Sequence, residues 1–174
     1  MEVLPHMPKL FDITVPVFQR ALSNLSKHLD KARNYADDAG IAHGDLLSAR
    51  LYPDMLPLTG QVQRMSDTAK FVPARVGGLT APSMPDTEAS LDDLQARIAA
   101  TIDYLNSVPS TAFDGRESNE VVLKFGPRSI TFPTATDYAL VFALPNFYFH
   151  ATTAYGILRH KGVPLGKLDF IGAA

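Results

Sequence analysis

The sequence predicts an all-α fold: a four-helix bundle with a small β-hairpin inserted before the last long helix. Three observations carry this. Apolar residues recur at alternating spacings of three and four in four separate stretches, the period of a helix with one buried face. Glycine and proline fall at the ends of those stretches, where helices start and stop. One run, Asn119–Phe132, breaks the pattern with Val121, Val122, Leu123 and Phe125, then Gly126-Pro127, then Ile130 and Phe132, which reads as a hairpin. The length of 174 residues suits one domain, 1–174, with a full hydrophobic core.

The first helix rests on Val15, Phe18, Leu22, Leu25, Leu29, Ala32, Ala36 and Ala39. Asp12 or Thr14 suits its cap, Pro16 its first turn and Gly40 its end. Residues 1–11 read as a loose arm. His28 lies beside the apolar stripe and reads as a boundary or surface histidine. Gly44–Leu51 is a short helix or turn, closed by Pro53. Leu58, Val62, Met65, Ala69, Val72 and Val76 define the second long helix, with Pro57 near its start, Gly77-Gly78 past its end, and Pro73 expected to distort its last turns. Residues 79–89 form a proline-containing connector. Ser90 with Asp93 resembles a capping box, and Leu91, Leu94, Ile98, Ile102 and Leu105 carry the third helix to a stop before Pro109.

Asp137–Gly162 is the most apolar long stretch and predicts a largely buried fourth helix. One stripe is Leu140, Leu144, Phe147, Ala151, Ala154 and Leu158; beside it run Ala139, Ala143, Asn146, His150, Thr153 and Ile157. Thr136 suits the cap, and Arg159, His160 and Gly162 suit the negative end. Pro145, inside the helix, crowds the carbonyl of Val141 and predicts a kink. The tail after Gly162 is apolar enough to dock on the bundle. The spacing throughout predicts near-antiparallel packing, crossing at roughly +20°.

The chemistry centres on Asn146 and His150, four residues apart on one face with Cβ atoms roughly 6 Å apart. Small neighbours, Ala139 and Ala143, leave room for a cavity there. A neutral imidazole in such a place is a candidate acid/base or metal ligand. Tyr148 and Thr153 lie on the same helix; Gln61 and Asp54, seven apart on or near the second helix, are candidates to line the same pocket. Asp67 is a further carboxylate there, flanked by Arg64 and Lys70 as a structural ion pair would be. The competing reading is a core histidine satisfied by Asn146 or by a carbonyl freed near Pro145. A metal site would need His150 plus Asp54 or Asp67, since no His-x-x-x-His pair exists.

Composition narrows the classes. The absence of cysteine excludes disulfides, thiolate nucleophiles and zinc-thiolate sites, and fits a reducing, cytoplasmic setting. A formal net charge of −2 argues against a nucleic-acid partner held through phosphates. The fourth helix is a bundle helix by its polar pair, so no membrane partner is expected. The first residues lack a basic region before an apolar run, so no signal peptide is expected.

Three segments, FDITVPVFQRALSNLSKHLDKA, ARLYPDMLPLTGQVQRMSDTAK and FALPNFYFHATTAYGILRHKGVPLGKLDFIG, resemble an uncharacterised domain-of-unknown-function family related to DinB, in the DinB/YfiT-like superfamily of metalloenzymes. The resemblance spans about Leu10 to Gly172. It implies a four-helix bundle, often a homodimer, with nickel or zinc held by three histidines; some members are thiol-dependent transferases or resemble maleylpyruvate isomerase. Setting ILRHKG on the superfamily's last helix places His150 on one ligand and Asn146 on another. The third falls near Gln61–Arg64, which holds no histidine. The resemblance thus leaves one ligand of three, and a pocket for an unknown small molecule lined by Gln61, Asn146 and His150. A variant nickel or zinc enzyme, or a non-catalytic dimeric structural or stress-related protein, are the alternatives.

Overall fold

The computed structural model of the chain describes residues 8–172. Its elements are α1 (Val15–Ala39), α2 (His43–Leu47), α3 (Leu58–Gly77), α4 (Leu91–Asn106), β1 (Val121–Phe125), β2 (Arg128–Phe132), α5 (Ala135–Asp137), a π-helical segment (Tyr138–Ala143), α6 (Leu144–His160) and α7 (Lys167–Ile171). The long helices α1, α3, α4 and α6 form the expected bundle. Its main contact is α3 with α6; α4 packs on both α3 and α1, and α1 closes back against α6. The predicted apolar stripes meet in one core, with Phe18 and Phe147 fully buried and their ring centroids 4.5 Å apart. No helix among the described residues is long and apolar enough to cross a membrane.

Most helix ends fall where glycine and proline place them. Gly40 and Gly78 adopt left-handed conformations and close α1 and α3. The Ser90 hydroxyl accepts the Asp93 amide at 3.1 Å, and the Asp93 carboxylate accepts the Ala89 amide at 3.0 Å, so the cap is reciprocal but reaches one residue further back than expected. α3 runs through Pro73 to Gly77.

The N-terminal arm is only partly as expected. Residues 1–7 lie outside the described residues. Leu10 is buried, and Lys9 pairs with Asp114 at 3.1 Å, so this part of the arm is docked. Neither expected cap of α1 works as one. Thr14 occupies the cap position, but its hydroxyl donates to Leu10 O at 2.7 Å, and the Asp12 carboxylate accepts the Lys9 amide.

The fourth long helix departs from expectation at its start. Its cap is Thr134, whose hydroxyl oxygen accepts the Asp137 amide at 2.9 Å; Thr136 instead donates to Glu117 O. Pro145 is accommodated without a break in the helical run. Upstream, the turn widens, and the Leu144 amide donates to Ala139 O, five residues back. The wide turn absorbs the carbonyl displaced by the proline ring. It also inserts an extra residue into the turn, which shifts the apolar phase. Leu140 therefore sits half exposed, and Val141, Tyr148 and Phe149 share an outer apolar face. The helix is buried on one side, not on most.

β1 and β2 pair antiparallel with Val121 opposite Phe132 and Phe125 opposite Arg128; Gly126, at φ 58°, supplies the positive-φ residue of the two-residue turn. The hairpin is fastened to the π-helical segment by rings. Phe142 lies 6.4 Å from Phe125, 5.8 Å from Phe132 and 6.1 Å from Tyr138. Such contacts add about 1 kcal/mol each beyond area burial. Phe142→Ala is therefore expected to speed amide exchange in Val121–Phe125 about tenfold or more while leaving α1 protected. Unchanged protection in β1 would show that the hairpin is held otherwise.

Candidate functional site

His150 is buried on the inner face of α6, and its Nδ1 lies 2.7 Å from Gln61 Oε1. The direction of this bond follows from the next one. Gln61 Nε2 donates to Leu56 O at 2.9 Å, so the amide oxygen must face the imidazole and accept. His150 therefore carries its proton on Nδ1 and keeps the lone pair on Nε2. Burial, aided by the charge of Arg64, lowers its pKa to about 4, so the ring is neutral at pH 7.

Asn146 is oriented in the same way. Thr68 Oγ1 donates to Arg64 O at 2.8 Å and accepts Asn146 Nδ2 at 2.8 Å. The Asn146 side-chain oxygen accepts no hydrogen bond among the described residues. Neither alternative partner foreseen for His150, Asn146 or a carbonyl near Pro145, is used; the partner is Gln61 across the α3–α6 contact.

His150, Asn146 and Thr68 border a cavity of about 200 Å³ between α3, α6, the π-helical segment and β1; Gln61, expected to line it, is not among its walls and acts only through His150. Arg64, Thr68 and Arg75 of α3, Asn146 and His150 of α6, and Phe125 of the hairpin are among its walls. Arg75 stacks on Phe71, with the guanidinium carbon 4.6 Å from the ring centroid, and donates to Tyr138 Oη at 3.0 Å. Burial raises the Tyr138 phenol above its ordinary pKa despite Arg75, so it stays neutral. Among the described residues Arg75 pairs with no carboxylate.

The other expected site residues lie apart. Tyr148 is half exposed and faces a different cavity. Thr153 is buried, with its hydroxyl spent on Phe149 O at 2.7 Å. Asp54 is exposed in the connector before α3; the helix begins only at Leu58, so Asp54 neither caps it nor shares a face with Gln61. Asp67 does border the cavity, but it pairs with Arg64 at 3.1 Å, Lys70 at 3.0 Å and Arg97 at 2.9 Å.

The nickel or zinc site of the superfamily does not fit these residues. Only His150 offers a free nitrogen. The nearest carboxylate is held by three cations, and two arginines border the space. Among the described residues no three histidine, aspartate or glutamate side chains come together as a metal site.

Arg64, Thr68 and Arg75 were not foreseen. The signal was present: Gln61, Arg64, Thr68, Phe71 and Arg75 repeat at three and four beside the apolar stripe of α3. A polar stripe on a helix ordinarily faces water. Here the hairpin and the π-helical segment border it.

A bundle of this topology, with its hairpin between the third and fourth long helices, is a DinB-like fold. The chain superposes on the crystal structure of a DinB family member protein from Shewanella denitrificans with a TM-score of 0.86, at 38% identity over 95% of this chain and 93% of that one. The family profile described as a domain of unknown function, DUF1993, matches residues 10–171, and the chain belongs to that family. No curated protein matches the chain.

Proposed function

We propose that the chain binds an extended organic acid, with a hydroxyl or amino group at the end far from its carboxylate, in the cavity beside His150. The observation that supports this most is the Gln61–His150 bond, which leaves Nε2 as a neutral acceptor near Arg64, in a cavity that Arg75 also borders. A carboxylate suits Arg75, which lacks an internal anion, and an O–H or N–H donor suits His150 Nε2. Asn146 adds an acceptor. The space of about 200 Å³ admits about ten heavy atoms, and a ligand that reaches from His150 to Arg75, fourteen residues along α3 from Gln61, is extended. Because the His150 pKa is near 4, this ring is an acceptor and a weak base at neutral pH, and binding is favoured over acid/base turnover.

Calorimetry with 6-hydroxyhexanoate, hexanoate, 6-hydroxyhexanamide and inorganic phosphate tests the reading. 6-Hydroxyhexanoate is expected to bind best. His150→Ala and Arg75→Ala should each weaken it about tenfold or more, the cost of a lost charge-assisted or buried hydrogen bond. Equal binding of 6-hydroxyhexanoate and hexanoate, or binding indifferent to both substitutions, would overturn it.

A further inference from the structure

Three side-chain bonds set the order of groups along the seam between α3 and the last long helix: Gln61 with His150 at 2.7 Å, Thr68 with Asn146 at 2.8 Å and Arg75 with Tyr138 at 3.0 Å. The two chains of residues run in opposite directions, so the cavity beside His150 changes character along its length. Phe71 falls between Thr68 and Arg75, and Phe142 between Tyr138 and Asn146, and both rings line the cavity. They separate its polar end, at His150 and Asn146, from the Arg75 guanidinium, which stacks on Phe71. Phe125 of the hairpin adds a third ring. At the polar end, His150 Nε2 is not sealed from solvent.

None of the three rings is fully buried: Phe125 is 51% exposed, and Phe71 and Phe142 are partly so. Phe125 and Phe142 lie 6.4 Å apart with their planes inclined at 58°. Part-exposed rings around a cavity gain most from a flat aromatic body, which buries their area and meets them edge to face or offset. A saturated body of the same size fills the volume without those contacts. The larger cavity between α1, α6 and α7 has no such order: His28, expected at the surface, is 3% exposed there, and its Nε2 is sealed.

We propose that the cavity beside His150 selects a para-hydroxyaryl acid, with its ring beside Phe125 and Phe142, its carboxylate at Arg75 and its phenol hydroxyl donating to His150 Nε2. The inference rests on ligand binding at that site and adds the chemical class of the ligand body. 4-Hydroxyphenylacetate has the polar groups at its two ends and the size, since about 200 Å³ holds about ten heavy atoms.

The test is calorimetry of the full chain with 4-hydroxyphenylacetate, trans-4-hydroxycyclohexylacetate, phenylacetate and 6-hydroxyhexanoate. The first is expected to bind about tenfold tighter than its saturated counterpart and than phenylacetate. Phe125→Leu should remove most of the preference over the saturated acid, and His150→Ala the preference over phenylacetate. Equal binding of the aromatic and saturated acids, or a preference kept in both Phe125→Leu and Phe142→Leu, would overturn this inference alone, since binding of 6-hydroxyhexanoate would still stand for the site. Binding of none of the four compounds would overturn both. Binding of 4-hydroxyphenylacetate unchanged in Arg75→Ala would place the compound in another cavity, and would also overturn the inference.

Discussion

Arg97→Ala is expected to lower the unfolding free energy by about 3 kcal/mol, the cost of leaving the largely buried Glu88 carboxylate without its counter-ion. Arg97 projects from α4 with its side chain 2% exposed and reaches Glu88 at 2.8 Å, Asp67 at 2.9 Å and Asp86 at 3.0 Å. Arg64 joins from α3 by pairing with Asp67 and Asp86, and Gln63 donates to Glu88 at 2.7 Å. The network ties the proline-containing connector to α3 and α4. Burial alone would raise the pKa of Glu88, but the Arg97 and Gln63 hydrogen bonds outweigh it and hold it below the ordinary value. Urea unfolding measures the loss. Arg97→Met combined with Glu88→Gln should recover part of it, since no charged carboxylate then remains at position 88. A loss in Arg97→Ala below about 1 kcal/mol, the level of a surface pair, would show that water enters the network.

The second large effect is on acid sensitivity. His150 binds its proton near pH 4 in the fold and near 6.5 when unfolded. Between those values the unfolded chain holds more protons, so stability falls as pH falls. Full stability from this group is present above pH 6.5. Integrated from pH 7 to pH 5, the loss is about 2 kcal/mol. His28, also lowered chiefly by burial, contributes with the same sign. Comparing wild type with His150→Gln, by urea unfolding at pH 7, 6 and 5, isolates the His150 share. The variant should lose about 2 kcal/mol less across this range. Parallel losses in both proteins would mean that His150 titrates normally.

The helices were legible because each buries one continuous stripe, and burial at helical period is a local pattern. Their C-terminal stops were legible because Gly40 and Gly78 alone relieve the left-handed strain there. The start of the fourth helix was not. Pro145 announces a disturbance, but its form, a widened turn upstream beside the Phe142 and Tyr138 contacts with Phe132 of the hairpin, is not written in the local spacing. The site divides along the same line. His150 and Asn146 stood out as polar groups among small residues on an apolar helix. Arg64, Thr68 and Arg75 did not, because only the hairpin turns their solvent-like stripe into a cavity wall. His28 was misread because the middle of α1 lies under the tail, and no periodicity within α1 records what covers it.

Gln61 fixes His150 as the Nδ1–H tautomer, with Nε2 free near Arg64. Long-range nitrogen–proton correlation NMR of the histidine ring at pH 7 measures this directly. The expected result is a protonated Nδ1 and an unprotonated Nε2, retained on acidification to about pH 5, with Nε2 shifting when 6-hydroxyhexanoate is added. An Nε2–H tautomer, or an imidazolium at pH 7, would contradict it.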